Sequence, residues 1–177
     1  GRAGGGVLNV VTKSGSNAFH GTLFEFFRDK GLNANSWENN RAGLPKKNYH
    51  FNQFGGNIGG PVVKNKLFFF FDYDGQRNSE PIVVIPAIGA PSDALSQQAF
   101  ASLQKYITPY PRSLNNDVYL AKVDLNISDK QRVLGRYSRW HSKNVPIDLY
   151  GNGIITGGPE DFVTTQAVIA DTYSLSP

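Results

Sequence analysis

Gln53-Phe54-Gly55-Gly56-Asn57-Ile58-Gly59-Gly60-Pro61-Val62, a four-residue break Val63-Lys64-Asn65-Lys66, then Leu67-Phe68-Phe69-Phe70-Phe71-Asp72-Tyr73-Asp74 is the stretch whose reading decides the fold. Side chains on a strand alternate between faces, so Phe54, Gly56, Ile58, Gly60 and Val62 share one face, and Leu67, Phe69, Phe71 and Tyr73 share one face of the next strand. The opposite faces hold Gln53, Gly55, Asn57, Gly59, Pro61 and Phe68, Phe70, Asp72, Asp74. A polar break of this length predicts a tight hairpin. The glycines weaken strand propensity but permit close approach, which suits a wall packed against something inside it.

The same grammar recurs outward from this hairpin. Tyr119–Ile127 sets Tyr119, Ala121, Val123, Leu125 and Ile127 against Lys122, Asp124 and Asn126. Arg132–His141 sets Val133, Gly135 and Tyr137 against Arg132, Leu134, Arg136, Ser138 and Trp140. Val163–Tyr173 reads as another strand. Phe19–Asp29 reads as an earlier one whose facing the sequence leaves open, because neither side is cleanly polar. The connections alternate: Val63–Lys66, then about 44 residues, Ser128–Gln131, then about 21. Short turns on one rim and long loops on the other are the habit of outer-membrane β-barrels, and the aromatic residues at strand ends suit interfacial girdles. The expected fold class is therefore all-β, an antiparallel up-and-down meander forming part of a transmembrane barrel. One short helix is expected in a long loop, within Ser92–Ile107. There Leu95, Ala99, Leu103 and Tyr106 follow a Ser92/Asp93 cap, and the apolar stripe is expected to cover the loop's own base.

Composition agrees with strands and turns: among 177 residues there are 19 Gly, 10 Pro, 12 Phe and 8 Tyr. The chain has no Cys and no Met, which excludes disulfides and thiolate metal sites. A chain opening Gly1-Arg2-Ala3 without Met is expected to be an internal or processed piece, with any targeting signal upstream. The longest apolar run, Leu67–Phe71, has five residues, too few for a membrane helix, so any crossing uses strands. A net charge of +4 is spread among acids, as in Arg28-Asp29-Lys30, and reads as a mixed solvated surface rather than a nucleic-acid face.

Gly4-Gly5-Gly6 imitates a phosphate-binding loop, but these glycines precede a short β-rich run, Val7–Thr12, instead of joining strand to helix. Asp72 and Asp74 imitate a glycosidase pair but no third group is evident. His20, His50 and His141 lack metal-ligand spacing. No enzyme activity, metal or cofactor is expected.

Gly1–Gly15 resembles the end of the plug domain of TonB-dependent outer-membrane receptors. Asn17–Arg28, with Phe19-His20-Gly21-Thr22-Leu23-Phe24, resembles the first barrel strand of their Oar-like branch, and Asn52–Val62 with Lys64–Tyr73 is similar to its next hairpin. The resemblance implies a barrel of roughly 22 strands filled by a plug. It implies uptake of a scarce ligand, with energy delivered by the inner-membrane TonB complex through a segment absent here. Residues 1–16 would be the end of the plug and 17–177 the first six or so barrel strands. The implied partners are outer-membrane lipid, the protein's own plug and remaining barrel, the TonB complex and an imported ligand, without nucleic acid, in the bacterial outer membrane. Isolated, such a piece would expose two strand edges and aggregate or close wrongly.

Two residue sets follow. Trp37, Tyr49, Trp140, His141 and Tyr150 are candidates for a ligand vestibule in outward loops, with girdle or loop packing as the competing role. Gln53, Asn57, Asp72, Asp74, Lys122, Asp124, Arg132 and Arg136 are candidates for a wet face turned to lumen and plug, where opposite charges pair at modest cost. The rival functions are a passive porin or adhesin barrel, and a soluble β-domain binding glycan or single-stranded nucleic acid.

Overall fold

A computed structural model describes residues 11–82, 92–104, 110–145 and 159–175. Six strands form one antiparallel sheet in sequence order: β1 His20–Asp29, β2 His50–Val63, β3 Leu67–Ile82, β4 Tyr110–Ser128, β5 Gln131–Val145 and β6 Glu160–Tyr173. Helix α1, Trp37–Arg41, lies between β1 and β2, and α2, Ala94–Gln104, between β3 and β4. Among the described residues β1 and β6 each pair on one side only, so the sheet is an open meander. The expected strand over Val7–Thr12 falls largely outside the described residues; Val11 and Thr12 are not in strand.

The short turns come from their own chemistry. Asn65 adopts φ 63°, a left-handed conformation that Asn tolerates better than most residues, and Lys66 N–H donates to Val63 C=O at 3.1 Å. A register shift between Asn126 and Ser128 precedes the Asp129-Lys130 turn.

Strands β3 and β4 run further than the alternation indicates, to Ile82 and from Tyr110. The long connection between them narrows to residues 83–109, and that between β5 and β6 to 146–159. Nineteen residues of β4 extend about 60 Å, whereas a tilted membrane strand needs only about 9–11 residues. The upper parts of these strands therefore stand beyond the bilayer, where no lipid demands an apolar face.

The glycines of β2 are filled by neighbours in the wall itself, not only by something inside it. A β-carbon on Gly59 would fall 3.0 Å from the Phe70 ring, and one on Gly60 2.5 Å from the Phe19 ring. Helix α2 starts where expected: Asp93 accepts from Ser96 N–H at 2.9 Å and from Ser96 Oγ–H at 2.6 Å, which hold its carboxyl below the usual range. Of its expected stripe, Leu95 is 77% exposed and Ala99 is exposed as well, so neither is packed on the loop base; Tyr106 lies outside the described residues.

Candidate functional site: the two faces of the sheet

Register fixes which side chains share a face. Phe70 stands opposite Lys122, and Lys122 opposite Arg136; Asp72 stands opposite Asn57, and Asp74 lies diagonally from Gln53 and hydrogen-bonds it at 2.8 Å. Asp124 and Arg132 join them through a 2.7 Å ion pair. All eight residues Gln53, Asn57, Asp72, Asp74, Lys122, Asp124, Arg132 and Arg136 thus lie on one face. That face also carries the segment leading into β1, because Lys122 Nζ donates to Ser14 Oγ at 2.7 Å. It is here called the inner face. On β1 it takes His20, Thr22, Phe24, Phe26 and Arg28, which settles the facing that the sequence left open.

The sequence reading expected a wet face, but the charges beneath that segment are buried. Asp124 is 0% exposed and Lys122 5%. They stand 3.7 Å apart, and Asp124 Oδ2 accepts no hydrogen bond among the described residues. In low dielectric such a pair is sensitive to the loss of either partner. The segment itself is pressed close: a β-carbon on Gly15 would collide with the carbonyl oxygens of Phe69 and Gly60. It turns into β1 at Asn17, whose side chain accepts from Asn65 N–H at 2.7 Å and donates to Asn65 Oδ1 at 2.6 Å.

The outer face is a band of exposed apolar side chains. Leu23 is 89% exposed, Ile169 85%, Ile58 48% and Val123 45%, while Phe70 is the one buried hydrophobic residue among the described residues. A soluble sandwich would invert this by burying the band against a second sheet. Facing lipid, the band needs no cover.

Aromatic rings end the band along a diagonal: Phe27 on β1, Phe54 on β2, Tyr73 on β3, Tyr119 on β4 and Tyr137 on β5. Phe27, through Asn52, is level with Arg77, four residues beyond Tyr73. Tyr137, through Ala121, is level with Phe71, two residues short of Tyr73. Six residues of climb over four strand steps is about 1.5 per strand. With about 3.4 Å per residue and about 4.8 Å between strands, a level belt requires a tilt of about 45°, the inclination of outer-membrane barrel strands.

Beyond the belt the outer face turns ionic. Arg77 pairs with Asp117 at 2.7 Å and lies over the Phe54 ring, Tyr73 Oη–H donates to the same carboxylate at 2.7 Å, and His141 bonds Asp161 at 2.6 Å. Sequence reasoning missed the Arg77–Asp117–Tyr73 cluster because its residues are far apart in sequence and polar on both faces. Glu25, two residues below Phe27 on β1, and Asp171, two residues from Ile169 on β6, are the departures from the pattern, both on edge strands.

The expected vestibule does not form as one group. Trp37 sits on α1, 67% exposed, under the Arg41 guanidinium at 5.2 Å; Tyr49 stacks with Arg28 at 5.3 Å. Trp140 and His141 fall within β5, which runs on past the strand expected over Arg132–His141, and as successive strand residues they point to opposite faces. Trp140 is on the inner face, opposite Val118 and Thr164, whereas His141 is on the outer face. Tyr150 lies outside the described residues.

A tilted antiparallel meander with a lipid-compatible band and a polar inner face defines a segment of outer-membrane barrel wall. The chain belongs to the outer membrane beta barrel domain family, which matches residues 11–110, more than half of it. It is also similar to the TonB-dependent transporter Oar of Myxococcus xanthus, 38% identical over 74 residues. That match covers 40% of this chain and 7% of the relative, so the chain corresponds to a small part of that protein. No solved structure matches. The family and the relative place the chain in the bacterial outer membrane, in contact with lipid.

Proposed function

We propose that this wall belongs to a TonB-dependent receptor that takes up a scarce ligand, powered by the inner-membrane TonB complex, with residues 1–16 as the end of its plug. The observation that carries the reading is the path of residues 11–16. They lie on the inner face, held by Lys122 to Ser14, and leave through the Asn17–Asn65 pair at the short-turn rim. A passive pore has no need of a segment packed there. In this reading Trp37, Tyr49 and Trp140 line the ligand's approach, His141 does not, and the protein catalyses no covalent step.

Conductance tests it without knowing the ligand. The full-length protein in planar bilayers is expected to show no steady open current, with brief openings only under urea that loosens the plug. A large constant conductance in native buffer would replace uptake with passive diffusion.

A further inference from the structure

The connection between β1 and β2 is braced from within. Lys46 Nζ donates to the backbone carbonyls of Lys30 and Asn33, each at 2.6 Å, stapling the two limbs of the loop together. Asn35 donates to Leu44 C=O at 3.0 Å and accepts from Asn39 at 3.1 Å, and Ser36 caps α1 through Asn39 N–H at 3.2 Å. This loop and the outward ends of β1 and β3 enclose a cavity of about 560 Å³, within the size range of small-molecule sites.

The cavity wall is strongly one-signed. Arg28, Lys30, Lys46 and Lys47 border it, against the carboxylate of Glu80 alone among the described residues. Arg28 is on the inner face of β1, and its guanidinium is oriented by the Tyr49 ring. Lys46 is occupied by carbonyls. Lys30 and Lys47 make no ion pair among the described residues; Lys30 feels the neighbouring Asp29 carboxylate without contacting it, and that carboxylate is engaged by Gly31 N–H and His50. A braced loop loses little entropy on binding, and convergent cations in a partly enclosed space attract anions more strongly than scattered surface charges do.

We propose that this cavity binds a small, multiply anionic ligand through carboxylate or phosphate groups, with Lys30 and Lys47 as its principal counter-charges and Arg28 as an oriented donor. Calling that ligand a cargo rests on the uptake reading; binding itself does not.

The test is calorimetric titration of the purified full-length protein with citrate and with pyrophosphate at low and physiological salt. Saturable binding that weakens with salt is expected. The Lys30→Ala/Lys47→Ala double variant should lose about tenfold or more in affinity. The Lys64→Ala/Lys130→Ala control removes the same charge at the opposite rim and should bind like wild type. No saturable binding of either probe, or equal weakening in both double variants, would overturn the proposal. Accumulation of bound radiolabelled citrate by cells, with and without TonB, separates the two readings. Binding retained and accumulation lost without TonB supports both. Binding with no TonB-dependent accumulation leaves the anion site standing and removes uptake.

Discussion

Strand β4 is two materials on one ladder. From Tyr119 to Leu125 its outer face is Tyr119, Ala121, Val123 and Leu125, set in an apolar band, and its inner face buries Lys122 and Asp124. From Tyr110 to Val118 the same strand pairs with β3 through the same backbone bonds, but its outer side chains include Asn115 and Asp117. There Asn116 donates to Gln76 at 2.7 Å, and Arg77 donates to both Asn116 C=O and Asp117. Backbone pairing is indifferent to the medium; side-chain choice is not. The lower half is selected by lipid outside and by a packed segment inside, the upper half by water.

Breaking the lower half from within should cost most. Asp124→Ala leaves Lys122 buried without its counter-charge, an expected loss of about 3–5 kcal/mol. Urea unfolding of the full-length barrel in vesicles measures it, and an unchanged midpoint would mean that water reaches the pair. Next comes the outer face. Val123→Arg places a charge in the apolar band and should cost about 2–4 kcal/mol, whereas Asn115→Arg in the upper half should cost about 0–1. Equal effects on unfolding free energy would erase the distinction between the halves.

Smaller again is Asp117→Asn, which leaves Arg77 and Tyr73 without their shared carboxylate. Its cost should be about 1–2 kcal/mol, discounted because Arg77 is partly solvated. Tyr73→Phe should lose less, and a double-mutant cycle reads the coupling. The smallest effect lies off the sheet, at Asp93. Its folded pKa is lowered, so its hold on the start of α2 is complete above the ordinary carboxylate value and is lost as pH falls through the lowered one. Amide exchange at Ser96 should quicken in acid relative to the intrinsic rate in the native protein, and show no such pH step in Asp93→Asn.

The contrast also explains what could be read in advance. Leu67–Tyr73 and Tyr119–Leu125 were legible as strands, with their facing, because lipid imposes period-two apolar patterning. Gly75–Ile82 and Tyr110–Val118 were not, since water outside the belt permits polar residues on both faces. Within the candidate sites, the shared face of Lys122, Asp124 and Arg132 followed from alternation. Their burial did not, because it depends on a segment over a hundred positions earlier in the chain. His141 went astray for a different reason: placed at the end of the strand Arg132–His141, it was still grouped with Trp140 in one vestibule, yet successive strand residues face opposite ways. The anion cavity was hidden because Lys46 and Asn35 reach partners that no periodicity links.

The reciprocal amide pair between Asn17 and Asn65 has a mechanical consequence. Asn65 is also the residue whose carbonyl accepts from Asn126 Nδ2 at 3.2 Å, while Asn126 N–H holds Lys66 C=O at 2.8 Å. Tension applied to residues 11–16 therefore runs sideways into the first short turn and from there into β4, instead of peeling β1 from its edge. Asn17 acts as a strain relief, like the clamp where a cable enters its housing.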